Sequence, residues 1–337
     1  MNAPHTFENK GVFALESGET LHDVRIAYHT FGTFSPESKV VWVCHALTAN
    51  SDVSDWWKGL FGENDLFRSS AYFVVCANIL GSCYGTTGPL SNTEIAAESF
   101  LNFPIVTTRD MANAHALLKN HLKIDAIEVL IGSSLGGQQA QEFAFILQDQ
   151  LKNLILIATN AQHSPFGIAF NEAQRLALLA DPSFEANKCY GGQKGLKAAR
   201  SIAMLSYRSY SGYGATQQEE GNETTDNFRA ASYQNYQGQK LVNRFNAYSY
   251  WFLSKAMDSH NIGRMRGSIA AALATLMAKT LVVSITSDLL FPISEQKYLA
   301  DHIPNAQLEV MDSVFGHDGF LVETKELEQI ITNFLNK

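Results

Sequence analysis

Short, continuous apolar runs punctuate the chain. Residues 40–44, 72–76, 129–131, 154–158 and 281–285 are each rich in Val, Ile or Leu and carry no polar alternation. That is the pattern of parallel strands covered on both faces. Helix-type patterns separate them. The clearest spans 107–122, where Met111, Ala114, Leu117, Leu118 and Leu122 recur at helical spacing. Upstream, residues 12–30 alternate short apolar and polar segments around Glu16-Ser17-Gly18-Glu19, which predicts an antiparallel hairpin with an extension at Thr33-Phe34. Alternating strand and helix signals predict an α/β protein with a mostly parallel sheet and an antiparallel N-terminal edge.

From residue 164 to 278 the strand signals vanish. Helices are expected over 168–179 (stopped by Asp181-Pro182), 196–207, 228–237, 241–246, 250–257 and 269–277. Residues 211–227 are polar and Gly-rich and read as a mobile loop. The strand signal resumes at Lys279. The expected organisation is a core of residues 1–163 and 279–337 with a helical lid, 164–278, inserted into it. No internal repeat is visible.

Composition adds limits. The chain has 337 residues and a formal net charge of −8, against a surface that binds nucleic acid. No stretch approaches the ~20 apolar residues needed to span a bilayer. The segment Met1-Asn2-Ala3-Pro4-His5 lacks the basic and apolar regions of a signal peptide. Cys44, Cys76, Cys83 and Cys189 form no C-x-x-C pair, and free thiols in a reducing cytoplasm are expected. The histidines show no metal-ligand spacing, so neither a metal nor a resident cofactor is expected.

The candidate chemistry lies at Gly132-Ser133-Ser134-Leu135-Gly136. This G-x-S-x-G stands between the apolar run ending at Ile131 and a helical pattern over 138–147. That context predicts a nucleophile elbow with Ser134 at its tip. A serine hydroxyl is a weak nucleophile at neutral pH and needs a base, which in turn needs an orienting carboxylate. In this architecture they follow in the order acid, then His. Asp288 follows the run 281–285, and His317 follows the strand-like 308–311. Both are thereby expected at the carboxyl edge of the sheet, where open α/β folds place ligands. The oxyanion donors are expected to be the backbone N–H groups of Leu135 and, after the 40–44 strand, Leu47. Losing such a donor costs ~3 kcal/mol of barrier. His45 precedes the serine and reads as structural. Asp301-His302 reads as solvated helix surface, Trp56-Trp57 as packing, and Arg109-Asp110 as a charge pair at a helix start. Cys83 has no sequence partner for thiol chemistry.

Several further stretches resemble the homoserine O-acetyltransferase family of α/β-hydrolase-fold enzymes. They include His45-Ala46-Leu47-Thr48, Trp56-Trp57-Lys58-Gly59-Leu60, Gly81-Ser82-Cys83-Tyr84-Gly85, Phe103-Pro104-Ile105-Val106 and Asn171-Glu172-Ala173-Gln174-Arg175. Later come Tyr236-Gln237-Gly238-Gln239-Lys240, Arg244-Phe245-Asn246, Ser287-Asp288-Leu289-Leu290-Phe291-Pro292 and Gly316-His317-Asp318-Gly319. The resemblance runs from about residue 10 to the end. It departs from the family at Ser133, Leu135, Gln138 and Asn246 and in the segment after Arg208. It implies acetyl transfer from acetyl-CoA, as co-substrate, to the hydroxyl of L-homoserine in methionine biosynthesis, through an acyl-serine. The alternatives are a serine or homoserine O-succinyltransferase, or an ester or thioester hydrolase. The resemblance further implies that Arg208, in Tyr207-Arg208, and Asp318 bind the zwitterionic acceptor. Homodimerisation through the lid, with 269–277 offering a spare apolar face, is expected too.

Overall fold

The computed structural model describes residues 3–91 and 98–337; Met1 and Asn2 of the N-terminal segment read above lie outside them. One eight-stranded sheet runs in the order β1-β2-β4-β3-β5-β6-β7-β8. Strands β1 (His5–Ala14) and β2 (Thr20–Phe31) form the N-terminal hairpin, which begins earlier than the polar alternation suggested. β2 pairs antiparallel with β4 (Phe73–Ala77). The strands β3 (Val40–Cys44), β5 (Ile127–Ser133), β6 (Leu151–Ile157), β7 (Lys279–Ile285) and β8 (Ala306–Met311) continue in parallel. The chain has the α/β-hydrolase architecture.

The unbroken apolar runs have a physical reason. Successive strand residues face opposite sides, and both sides are covered. Trp42, Val75, Leu130, Leu154 and Val282 enter one core with helices α2 (Thr108–His121) and α3 (Leu135–Leu147). Val41, Val43, Ile131, Ile155 and Val283 enter the other, under Trp57, Phe320, Ile331 and Phe334. A short helix, α1 (Val53–Trp56), follows β3.

Between β6 and β7 the described residues form helices α4 (Pro165–Leu179), α5 (Gln193–Tyr207), α6 (Tyr210–Gln217), α7 (Arg229–Val242), α8 (Ala247–Asp258) and α9 (Ile269–Leu273). After β7 come α10 (Ile293–His302), α11 (Gly319–Val322) and α12 (Thr324–Leu335). Three expectations need correction. The 211–227 loop begins with α6, because the Ser209 hydroxyl caps it by accepting from Gly212 N–H at 2.9 Å. The patterns 228–237 and 241–246 are mostly one helix, α7, since nothing at 238–240 breaks it. The 269–277 pattern is helical only to Leu273; its Leu273 and Leu276 are buried, and Met277, past the helix end, is its exposed large apolar side chain.

Candidate active site

Ser134 is the single residue between β5 and α3, with φ 56° and ψ −127°. A positive φ on a residue with a Cβ costs on the order of 1–3 kcal/mol and persists only where neighbours over-determine it. Here Ser134 N–H donates to Ile157 O at 3.0 Å. Its carbonyl accepts from the Thr159 hydroxyl at 2.9 Å and from Gly137 N–H at 2.9 Å. The glycines are steric requirements. A Cβ on Gly132 would lie 2.1 Å from Gly136 O, and one on Gly136 would lie 2.0 Å from Cys44 O. The elbow is therefore pressed directly against the end of β3.

Asp288 and His317 reach the same edge from β7 and β8. Asp288 Oδ1 accepts from the N–H groups of Leu290 and Phe291, at 2.8 and 2.9 Å. This fixes the carboxylate so that Oδ2 accepts from His317 Nδ1 at 2.7 Å. With Nδ1 as donor, Nε2 is the nitrogen left to take up a proton. The imidazole lies in a short 3-10 turn, Gly316–Asp318. Phe291 stacks on it at 5.1 Å, and Phe320 and Tyr207 flank it at 5.6 and 5.7 Å. Burial pulls its pKa down, but the charge and hydrogen bond of Asp288, together with the charge of Asp318, outweigh this and raise it above the ordinary histidine value. His317 and Ser134 line one cavity of about 480 Å³. They are only 3% and 5% exposed, so the cavity reaches them at its floor.

Leu47 lines this cavity from the loop after β3, and Leu135 opens α3, where first-turn N–H groups have no partner within the helix. Gln139, fully buried, ties the two together. Its Nε2 donates to His45 O and Leu135 O, both at 3.1 Å, and its Oε1 accepts from His115 Nε2 at 3.2 Å. His45 is not a second base. Burial lowers its pKa to about 4, its Nδ1 donates to Ala46 O at 2.8 Å, and its Nε2 accepts from Ile79 N–H at 3.3 Å.

The structure separates the two residues expected to bind the acceptor. Asp318 lines the cavity with Ser134, whereas Arg208 lines an adjoining cavity of about 240 Å³ with Tyr213, Tyr233 and Phe315. They remain in contact through an ion pair, Arg208 Nε to Asp318 Oδ2 at 3.4 Å. Sequence reasoning missed three cations that line the Ser134 cavity: Arg200, Lys240 and Arg244. Lys240 and Arg244 stand four residues apart inside stretches that carried the family resemblance, a signal that went unused. Arg244 donates to Thr48 O and, at 2.8 Å, to the Tyr84 hydroxyl, joining α7's end to the loop that carries Leu47. Trp57 is packing, as expected, but Trp56 lines the cavity. Arg109 and Asp110 do not pair with each other. Arg109 pairs with Glu16 at 2.5 Å and with Glu142 at 3.2 Å, while Asp110 completes a capping box with Thr107. Burial raises the Cys83 thiol to about 11, which removes it as a nucleophile.

The profile of the alpha/beta hydrolase fold matches residues 39–324, and this defines the class. Within it, the curated homoserine O-acetyltransferase of Cyclobacterium marinum is 44% identical over 323 residues, covering 95% of this chain and 92% of that one. The homoserine O-acetyltransferase of Chlorobaculum tepidum is 42% identical over 338 residues, covering 97% and 93%. The solved homoserine O-acetyltransferase of Staphylococcus aureus matches with a TM-score of 0.83 at 30% identity, covering 99% of this chain and 95% of that one. The chain belongs to the homoserine O-acetyltransferase family.

Proposed function

We propose that the protein moves an acetyl group from acetyl-CoA to the side-chain hydroxyl of L-homoserine, in methionine biosynthesis, through an acetyl ester on Ser134. The observation that carries this reading is the Asp288–His317 hydrogen bond of 2.7 Å at the floor of the cavity that also holds the elbow serine. In the first half-reaction Ser134 Oγ passes its proton to His317 Nε2 and attacks the thioester carbonyl. The carbonyl oxygen becomes negative and is met by the N–H groups of Leu47 and Leu135. The C–S bond then breaks, and the CoA sulfur takes the proton from His317. In the second half-reaction the homoserine hydroxyl gives its proton to Nε2 and attacks the acetyl ester. Ser134 leaves and recovers the proton. Asp288 holds the imidazole in the required tautomer and stabilises its cationic form.

The acceptor is a zwitterion, and the Arg208–Asp318 ion pair offers it one group of each sign. Asp318 receives the ammonium and Arg208 the carboxylate, for which a guanidinium gives a two-pronged fit. The helices from α4 to α9 act as a lid over the core. They keep water from the acetyl ester, which is what a transferase needs and a hydrolase does not.

The protein works as a homodimer in the cytoplasm. Leu176 on α4 and Leu205 on α5 are 57% and 55% exposed and give the dimer an apolar face. The exposed free thiol of Cys189 suits a reducing compartment. No helix among the described residues is long and apolar enough to cross a membrane.

The testing experiment is a panel of acetyl-CoA and succinyl-CoA against homoserine and serine. CoA release that accelerates with homoserine and acetyl-CoA above every other pair supports the reading. Release indifferent to any amino acid would replace it with thioester hydrolysis.

A further inference from the structure

A trans peptide unit carries its C=O and its N–H on opposite sides, so whatever grips the carbonyl aims the N–H. The two N–H groups that meet the oxyanion in the proposed reaction belong to the Ala46–Leu47 and Ser134–Leu135 peptides. Among the described residues neither N–H has a protein acceptor, whereas the carbonyl of each peptide is held from the protein side.

Both carbonyls are gripped in the same way. Ala46 O accepts from His45 Nδ1 at 2.8 Å and from Ala49 N–H at 3.0 Å. Ser134 O accepts from the Thr159 hydroxyl at 2.9 Å, and from the N–H groups of Gly137 and Gln138 at 2.9 and 3.2 Å. In each case one donor is a fully buried side chain. Ser134 O already has two backbone partners, so the Thr159 hydroxyl is not needed to satisfy it. Each side chain is itself fixed. His45 Nε2 accepts from Ile79 N–H, which leaves Nδ1 as the nitrogen that carries the proton. Thr159 is pressed against the elbow, since a Cβ on Gly137 would lie 2.6 Å from the Thr159 Cβ. The Thr159 carbonyl accepts from Gln296 Nε2 at 2.8 Å, and Gln296 Oε1 accepts from the Ser284 hydroxyl at 2.7 Å.

We propose that His45 and Thr159 are positioning residues for the oxyanion hole, each donating to the carbonyl of a peptide whose N–H donates to the negative oxygen. This deepens the acetyl-transfer reading and rests on its assignment of Leu47 and Leu135. The effect has two parts. The side-chain hydrogen bond stops the peptide plane from turning, so the N–H is in place before charge develops. It also polarises the peptide, and hydrogen bonds linked in a chain strengthen one another.

The test uses two pairs of variants. Thr159→Val keeps the shape and removes the hydroxyl, and Thr159→Ser keeps the hydroxyl. His45→Leu and His45→Asn match them, because an Asn amide donates from near the Nδ1 position. Each is assayed with p-nitrophenyl acetate and with p-nitrophenyl thionoacetate, whose C=S sulfur is a weak acceptor. Removing a whole oxyanion donor costs roughly 100- to 1,000-fold in rate, so a donor turned off its target should cost about 10-fold. The wild-type preference for the oxygen ester in kcat/KM should fall by about that factor in Thr159→Val and His45→Leu. It should return in Thr159→Ser and His45→Asn, with the KM for homoserine in acetyl transfer unchanged. A loss shared equally by both esters would overturn the proposal, as would a Thr159→Ser protein that behaves like Thr159→Val. Thr159→Val carries the test if thermal melts show that His45→Leu does not fold. Aryl esters acylate Ser134 whatever acceptor follows, so the preference is read even if homoserine is not the acceptor. Acetyl transfer to homoserine with an unchanged preference in the variants sinks the positioning roles alone.

Discussion

His317 is where opposing electrostatic effects meet. Burial disfavours its cation, Asp288 and Asp318 favour it, and the carboxylates win, so its pKa is raised. For folding, that stabilisation is fully present below the unfolded-state pKa and fades as pH rises through the raised folded value. For catalysis the sign is reversed, because the base must be deprotonated. Activity should climb as pH passes the raised pKa. Asp318→Asn removes one favouring charge, so the acid limb of the kcat/KM profile should move to lower pH while the KM for homoserine rises. A pH–rate profile with an unmoved limb would contradict this account of His317. The residues at this centre were legible in the chain because Ser134, Asp288 and His317 each follow an apolar run that ends at the same sheet edge. Arg200, Lys240 and Arg244 were not, because a cation on a helix looks the same in sequence whether it faces water or a cavity. Only the packing of α5 against α7 decides that.

At the scale of elements, the elbow depends on contact between α3 and the end of β3. Gly136 sits where any Cβ would meet the Cys44 carbonyl at 2.0 Å. Gly136→Ala should therefore lower stability by about 1–3 kcal/mol, as overpacking does, and should lower kcat further by displacing Leu135 and the His45–Thr48 loop. Gly221→Ala, at a site with nothing within 4 Å, should change neither. Thermal melts read beside initial rates check both, and a Gly136→Ala protein with wild-type stability and rate would contradict the steric argument. The parallel strands were readable because burial on both faces leaves no polar alternation to confuse with another element. Helix α6 was not readable. Its polar, Gly-rich sequence has weak helical preference, and tertiary contacts hold it: the Ser209 cap also donates to Val314 O, and Gly212 packs within reach of that same carbonyl. The end of α9 at Leu273 was hidden for a related reason, since the apolar pattern continues to Leu276 and Met277 past the turn that ends the helix.

At the scale of the whole molecule, in the function proposed the core carries the chemistry and the helices between β6 and β7 exclude water and associate. The apolar exposure at Leu176 and Leu205 should make the protein a dimer in light scattering, and Leu176→Asp/Leu205→Asp should shift it toward monomer. A monomeric wild type would remove that assignment. The central claim is the acetyl ester on Ser134, and mass spectrometry of the acid-quenched protein tests it most directly. After mixing with acetyl-CoA alone, the peptide carrying Ser134 should gain one acetyl group, lose it when homoserine is added, and never gain it in Ser134→Ala. An unmodified Ser134 peptide under conditions where O-acetylhomoserine is being formed would contradict the account.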